Sequence, residues 1–343
     1  GFRNHGSGPS PVLGDRVFTW VWLRVQSGSR TTSRVVRSTH ARGFPVLCCS
    51  QRACPIRKRP AAGRVAVYDR RMHRRTLLEL VGATALLRSL PAHAATTPPA
   101  PPALRVTRLT WAGVRLVAGE TTLFIDATVD PSEPGSTPLQ ASTPERHALV
   151  THYHGDHCQP EALKPVFNAR SRLVCDRDTA LRVGDREVPL LPVALYQPEF
   201  LSPRTADFAV FAVPASDGLG SPQVSWVIDG GGRRVFHAGD TQVHGQFWNI
   251  GRAYGPFDLA FLPINGFRQT LGRTTRVPAP MSLTPEQAVE VAQILGARRV
   301  IPIHYGNAGQ GYAEVPDPIG AFAKAAKTAG LPYTVLAPGA TLD

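Results

Sequence analysis

His152-Tyr153-His154-Gly155-Asp156-His157 follows directly on the apolar run Ala148-Leu149-Val150. Three imidazoles and a carboxylate within six residues, placed where a strand ends, are donors for metal ions. His152 and His154, two apart, are spaced to share one cation. Asp156 and His157 face another way once the chain leaves the strand, and can hold a second. The hexapeptide reads as a metal site.

The charge of the chain is unevenly spread. Its 343 residues carry a formal net charge of +13, which by itself suggests nucleic acid or an anionic surface as partner. Residues 1–71 hold 14 Lys and Arg against Asp15 and Asp69 only, so nearly all of the excess lies there. The remainder is close to neutral, and this argues against a nucleic-acid partner.

Residues 1–71 show no sustained apolar periodicity and are rich in Arg, Ser and Gly. They include Cys48, Cys49 and Cys54. We read this basic leader as disordered or upstream of the native product. Met72 is followed by His73-Arg74-Arg75-Thr76-Leu77-Leu78, an apolar stretch to Leu90, and Pro91-Ala92-His93-Ala94. That order describes a secretory signal over residues 72–94, and the Arg pair resembles a twin-arginine signal. An uncleaved membrane anchor is the alternative, although Glu79 and Arg88 lie inside the span. Residues 95–103 read as a Pro-rich linker and 104–343 as one large domain. Export is expected, to the periplasm or beyond, with no stable membrane insertion after cleavage.

Strands are expected at Leu104–Thr110, Val114–Val117, Thr121–Ile125, Ala206–Val213, Gln223–Ile228, Arg234–Phe236, Phe257–Pro263, Val300–Ile303 and Tyr333–Leu336. Gly230-Gly231-Gly232 marks a hairpin. Residues 130–146, punctuated by prolines, read as a loop that rims the site. Thr284-Pro285-Glu286-Gln287 opens a helix with a capping box, closed by Gly296. A last helix is expected near Pro318–Ala329. Cys158 and Cys175 are too few for a disulfide framework and read as small buried residues.

Three later residues also lie just past a strand: Asp217 in Val213-Pro214-Ala215-Ser216-Asp217-Gly218, Asp240 in His237-Ala238-Gly239-Asp240-Thr241, and His304 in Ile301-Pro302-Ile303-His304-Tyr305-Gly306. Strand ends converging on one rim deliver such residues to one cavity. In this order the chain resembles the metallo-β-lactamase-fold hydrolases over most of residues 104–343. His152, His154, Asp156 and His157 match the family's His-x-His-x-Asp-His, Asp240 its bridging aspartate and His304 its last histidine. The contexts of Asp240 and His304 are most similar to the ascorbate-6-phosphate-lactonase-like and general zinc-dependent hydrolase branch.

The resemblance implies an α+β fold, a four-layer αββα sandwich, and two divalent cations, zinc first; a carboxylate ligand at Asp217 would admit manganese or iron beside zinc. It implies a hydrolase in which a metal-bridged hydroxide attacks a small ester, lactone or amide. A phosphodiesterase of the same fold and a non-catalytic exported binding protein are the competing readings. The family places a further histidine between the hexapeptide and Asp240, yet residues 158–236 contain none. Asp217 stands at the expected strand end; it either replaces that ligand or only begins the turn at Gly218. His152, His154 and Asp217 would hold one metal, Asp156, His157 and His304 the other, with Asp240 between them. Asp156 is the expected proton acceptor. His244 either donates a proton to the leaving group or lies at the surface, and His237 is expected to pack within its strand.

Overall fold

A computed structural model describes residues 102–132, 135–186, 188–202, 207–270, 277–307 and 313–342. The leader, the signal and all of the linker but its last two residues lie outside them. Two sheets face each other. The first has seven strands in the order β15 (Thr341–Leu342), β1 (Arg105–Arg108), β2 (Val114–Ala118), β3 (Thr121–Ile125), β4 (Glu145–Leu149), β5 (Arg172–Cys175) and β6 (Leu190–Pro192). The second has six, in the order β14 (Val300–Ile303), β11 (Leu259–Pro263), β10 (Arg233–His237), β9 (Val224–Gly230), β8 (Phe208–Pro214) and β7 (Pro198–Leu201). A separate pair, β12 (Arg268–Gln269) and β13 (Ala279–Pro280), lies between β11 and β14 in sequence.

Each sheet is antiparallel in one half and parallel in the other. β3, β4, β5 and β6 run parallel, as do β10, β11 and β14. The parallel strands are short apolar runs because both of their faces are covered: every residue of β3, β11 and β14 is buried. Between the sheets, Leu116, Leu123, Ile125 and Leu149 pack with Phe208, Trp226, Phe261 and Ile303 in one core. Outside the second sheet, α3 (Gln246–Tyr254), α4 (Pro285–Leu295) and α5 (Pro318–Thr328) add Phe247, Ile250, Val291, Leu295 and Phe322 to another. Outside the first, α1 (Pro160–Leu163) and α2 (Arg177–Val183) cover Phe124, Ala148 and Leu173. The result is helix, sheet, sheet, helix, the four-layer αββα sandwich expected.

Local chemistry explains the boundaries. Thr284 caps α4, accepting from the Gln287 N–H while the Gln287 side chain returns to the Thr284 N–H. Gly231 and Gly232 (φ 56° and 73°) form the two-residue turn between β9 and β10. Two expectations fail. Tyr333–Leu336 contributes only a bridge from Tyr333 to Val300; the chain then turns at Pro338-Gly339 and pairs Thr341–Leu342 with β1. The rim loop ends earlier than expected, because Glu145 and Arg146 already pair with β3. Among the described residues no helix is long and apolar enough to cross a membrane.

His147, in β4, is 4 % exposed, with Nε2 3.2 Å from Ser202 Oγ. Burial lowers its pKa to about 4, against a smaller opposing effect of Glu145. Between that value and about 6.5 only the unfolded chain takes up the proton, so this contribution to stability is complete above pH 6.5 and is lost toward pH 4. His147→Gln should therefore remove up to about 2 kcal/mol of the stability loss between pH 7 and 5, read by urea denaturation of both proteins at the two pH values.

Candidate metal centre

The expected residues gather at the carboxyl ends of strands. β4 ends at Leu149, and Thr151 is then tied down: its N–H and hydroxyl donate to the two oxygens of Asp126 (2.8 and 2.7 Å), and its carbonyl accepts the Val224 N–H. The chain next makes a tight turn in which the N–H groups of His157 and Cys158 both bond the His154 carbonyl. This turn brings the His157 ring beside that of His152, with centroids 4.3 Å apart. Gly239 (φ 70°) lies against Thr151, where an added Cβ would sit 3.0 Å from its side chain, so the Asp240 loop can close on the hexapeptide.

His152 Nε2 is 2.8 Å from His154 Nδ1 and 3.8 Å from Asp240 Oδ1. His157 Nε2 is 3.1 Å from His304 Nε2 and 3.5 Å from Asp156 Oδ2, which is itself 3.6 Å from His304 Nε2. Donor atoms of His152, His157 and Asp240 lie within 4.8 Å of one another, and so do those of Asp156, His157 and His304. His157 belongs to both sets.

The outward nitrogens are held from behind. His157 Nδ1 is 2.8 Å from Asp126 Oδ2, His152 Nδ1 is 3.0 Å from Thr151 Oγ1, and His304 Nδ1 is 3.1 Å from the Asn265 amide. Partners of this kind fix ring orientation and aim the opposite nitrogen inward. Trp111 Nε1 donates to Asp156 Oδ2 at 2.9 Å. Trp111, Asp126 and His304 all adopt left-handed backbone (φ 52°, 43° and 57°), which costs about 1–2 kcal/mol per non-glycine residue.

Burial opposes protonation of His157, but the Asp156 and Asp126 carboxylates outweigh it and raise its pKa well above the usual imidazole value. Burial would raise Asp156; His157 and His304 override it and hold the carboxyl well below the usual range. Desolvation lowers His152 to about 4 despite Asp240. Without a metal, then, a proton on His157 is the positive charge these carboxylates recruit. A cation would displace it, since metal binding releases protons from its ligands.

The donor set fits a divalent cation. His152 faces His154 and His157 faces His304, and a carboxylate, Asp240 or Asp156, stands in each donor set, neither of which includes His154. Asp240 Oδ1 is buried with no hydrogen-bond partner among the described residues, as is Asp217 Oδ2. A buried anionic oxygen left in this way is costly unless a cation meets it.

Asp217 belongs to neither set. Its Oδ1 accepts from the N–H groups of Leu219 and Ser221 (2.9 and 3.0 Å), so the turn expected at Gly218 is present. The same loop is stapled beside Asp240: Ser216 exchanges hydrogen bonds with Thr241 and Gln242, and the Gln242 amide donates to the Asp217 carbonyl. His244 is also outside both sets. Its ring stacks on Phe247 with centroids 4.1 Å apart, and burial lowers its pKa to about 4, which leaves no imidazolium to donate a proton at neutral pH. His237 bonds the Ala112 carbonyl at 2.9 Å within the fold. Cys158 and Cys175 are buried free thiols, raised to about 12 by burial. Asp126, Trp111 and Thr151 were not anticipated. Asp126 follows β3 and so occupies the same strand-end position as the ligands, a signal that could have found it.

Residues 121–305 match the family model of the beta-lactamase superfamily domain. The chain belongs to the metallo-β-lactamase superfamily. It is a metal-dependent hydrolase of that superfamily. It is 29 % identical over 165 residues to a UPF0173 metal-dependent hydrolase of Thermococcus kodakarensis, a match covering 46 % of this chain and 65 % of the relative. A relative of the same description in Nitratidesulfovibrio vulgaris is 28 % identical over 208 residues, 58 % of this chain and 80 % of the other. Among solved structures, Igni18, a metallo hydrolase of Ignicoccus hospitalis, superposes with a TM-score of 0.53 at 18 % identity, over 70 % of this chain and 97 % of that one. The superfamily fold is thereby seen; the lactonase branch is not among these relatives.

Proposed function

We propose that this hydrolase cleaves a small ester, lactone or amide outside the cytoplasm, using two divalent cations, with zinc the first choice. What carries the reading is the pair of donor sets joined at His157, His152 with Asp240 and Asp156 with His304. In this reading His152 and His154, with Asp217 Oδ2 added from outside the two sets, would hold one cation, Asp156, His157 and His304 would hold the other, and Asp240 would be shared. When bound, the cations supply a hydroxide nucleophile at neutral pH and neutralise charge developing on the attacked oxygen. Asp217 Oδ1, fixed by two backbone N–H groups, presents Oδ2 as an oriented donor. Asp156, whose side chain is 21 % exposed against 14 % for Asp240, is the more accessible of the two donor-set carboxylates and would accept the proton of the attacking water. Solvent, not His244, protonates the leaving group.

Metal content of the purified protein and a panel of lactone, carboxylic ester, amide and phosphodiester substrates test this together. About two cations per chain and chelator-sensitive turnover of a carboxylic substrate are expected; turnover of the phosphodiester alone, or turnover untouched by chelation, would overturn it. Asp217→Ala should lose one cation selectively and Asp217→His should keep both. Equal metal content in Asp217→Ala would remove Asp217 from the ligand set.

Export rests on the segment 72–94. Expressed from Met72 in a bacterium, the protein should be recovered outside the cytoplasm with an N-terminus at Ala95 or a neighbour, and replacing Arg74 and Arg75 with Lys should retain it inside. Recovery of the unaltered protein in the cytoplasm with its segment intact would contradict this.

A further inference from the structure

We infer that Trp111 is a positioning residue for the set Asp156, His157 and His304, acting on two of its three members at once. The indole N–H bonds Asp156 Oδ2 at 2.9 Å, and the indole ring lies on the His304 imidazole with centroids 4.1 Å apart and planes tilted by 41°. The same residue reaches His304 a second way, through its carbonyl, which accepts the His304 N–H at 3.1 Å. One residue of the β1–β2 turn thus connects the hexapeptide on the first sheet to the end of β14 on the second.

The turn is built to hold this side chain still. Leu109 N–H bonds the Gly113 carbonyl and Gly113 N–H the Thr110 carbonyl, both at 2.8 Å, which closes the loop around Trp111. Gly113 is packed so tightly that an added Cβ would lie 2.9 Å from the Thr110 carbonyl oxygen. Trp111 is 3 % exposed, so its N–H meets the partly buried Asp156 from the protein side of the bond. Left-handed backbone at both Trp111 and His304, neither a glycine, is a strained arrangement that the surrounding hydrogen bonds impose. A carboxylate offers several lone-pair directions, and an indole N–H on one oxygen selects which of them face His157 and His304. The ring against His304 limits imidazole rotation in the same way.

Cation affinity is the direct readout. Metal-free protein is titrated with Co²⁺ against a competing chromophoric chelator, in the wild type, in Trp111→Phe, which keeps a ring but loses the N–H, and in Trp111→Leu, which loses both. Trp111→Phe should weaken one binding step about 10- to 100-fold and leave the other within about twofold, and Trp111→Leu should weaken the same step further. In a His304→Ala background, adding Trp111→Phe should leave the remaining step unaltered. Two unchanged steps in folded Trp111→Phe, or equal weakening of both, would overturn the inference. Absence of any step in the wild type would instead remove the metal reading itself.

If the variants do not fold, as seen by circular dichroism without metal, the wild type still decides. With ¹⁵N-labelled indoles, one buried N–H resonance should shift on addition of Zn²⁺ and exchange slowly with solvent. If no indole resonance responds to Zn²⁺ while the metal binds, Trp111 does not position its ligands.

Discussion

Replacing His152 and His154 together with Ala should leave at most about one divalent cation per chain and lower the melting temperature of the metal-loaded protein. Each removed ring supplies a nitrogen to the same face of the cleft, His152 Nε2 and His154 Nδ1 being 2.8 Å apart. A cation that binds only the folded chain stabilises it by mass action, about 4 kcal/mol at a thousandfold excess over its dissociation constant, and that contribution disappears with the ligands. Part of any destabilisation will come from packing, because His152 is fully buried. Melting both proteins with and without a chelator separates the two: the chelator should lower the wild type more than the double variant. Equal shifts, with equal metal content, would end the assignment of the first donor set.

The second large effect is expected at Asp126, which binds no cation in this account. Its carboxylate is fully buried and accepts from the Thr151 N–H, the Thr151 hydroxyl and His157 Nδ1. Burial alone would raise its pKa, yet His157 overrides this and lowers it, so the group is ionised at neutral pH. Asp126→Ala leaves a buried N–H and an imidazole without their acceptor and should cost about 3–5 kcal/mol even in metal-free protein. Asp126→Asn keeps an acceptor for Thr151 and should cost less, while still weakening cation binding at His157 about 10- to 100-fold. Urea denaturation with chelator present measures the first effect, and metal titration the second. A loss below about 1 kcal/mol in Asp126→Ala would show that this buried network does not hold the site together.

The donors were legible because short apolar strands announce their own ends. β4, β10 and β14 are each followed within three residues by a histidine or aspartate, so the sequence alone puts His152, Asp240 and His304 on one rim. His244, for which the sequence left a proton-donor and a surface role open, lies in neither donor set. Four residues beyond Asp240 is close along the chain, but Gly245 already leads into α3, and the ring packs on Phe247 of that helix. α3 itself was invisible: Gln246–Tyr254 contains Gly251 and has no side-chain cap, and it forms because Phe247 and Ile250 are buried against the second sheet. β6 and β7 were missed because they are edge strands of only three and four residues, partly exposed and each with a proline at one end, so neither shows a sustained apolar pattern. Trp111 carried no signal in sequence, since its role depends on Asp156, 45 residues away, being folded back against it.

Anomalous diffraction from crystals of the purified protein, collected on both sides of the zinc absorption edge, addresses the central claim most directly. The account predicts a peak among His157 Nε2, His304 Nε2 and Asp156, a second beside His152 and His154, and Asp240 reaching toward both. Crystals grown with added zinc that show no peak at either place, with the facing imidazole nitrogens bridged only by hydrogen bonds, would contradict it.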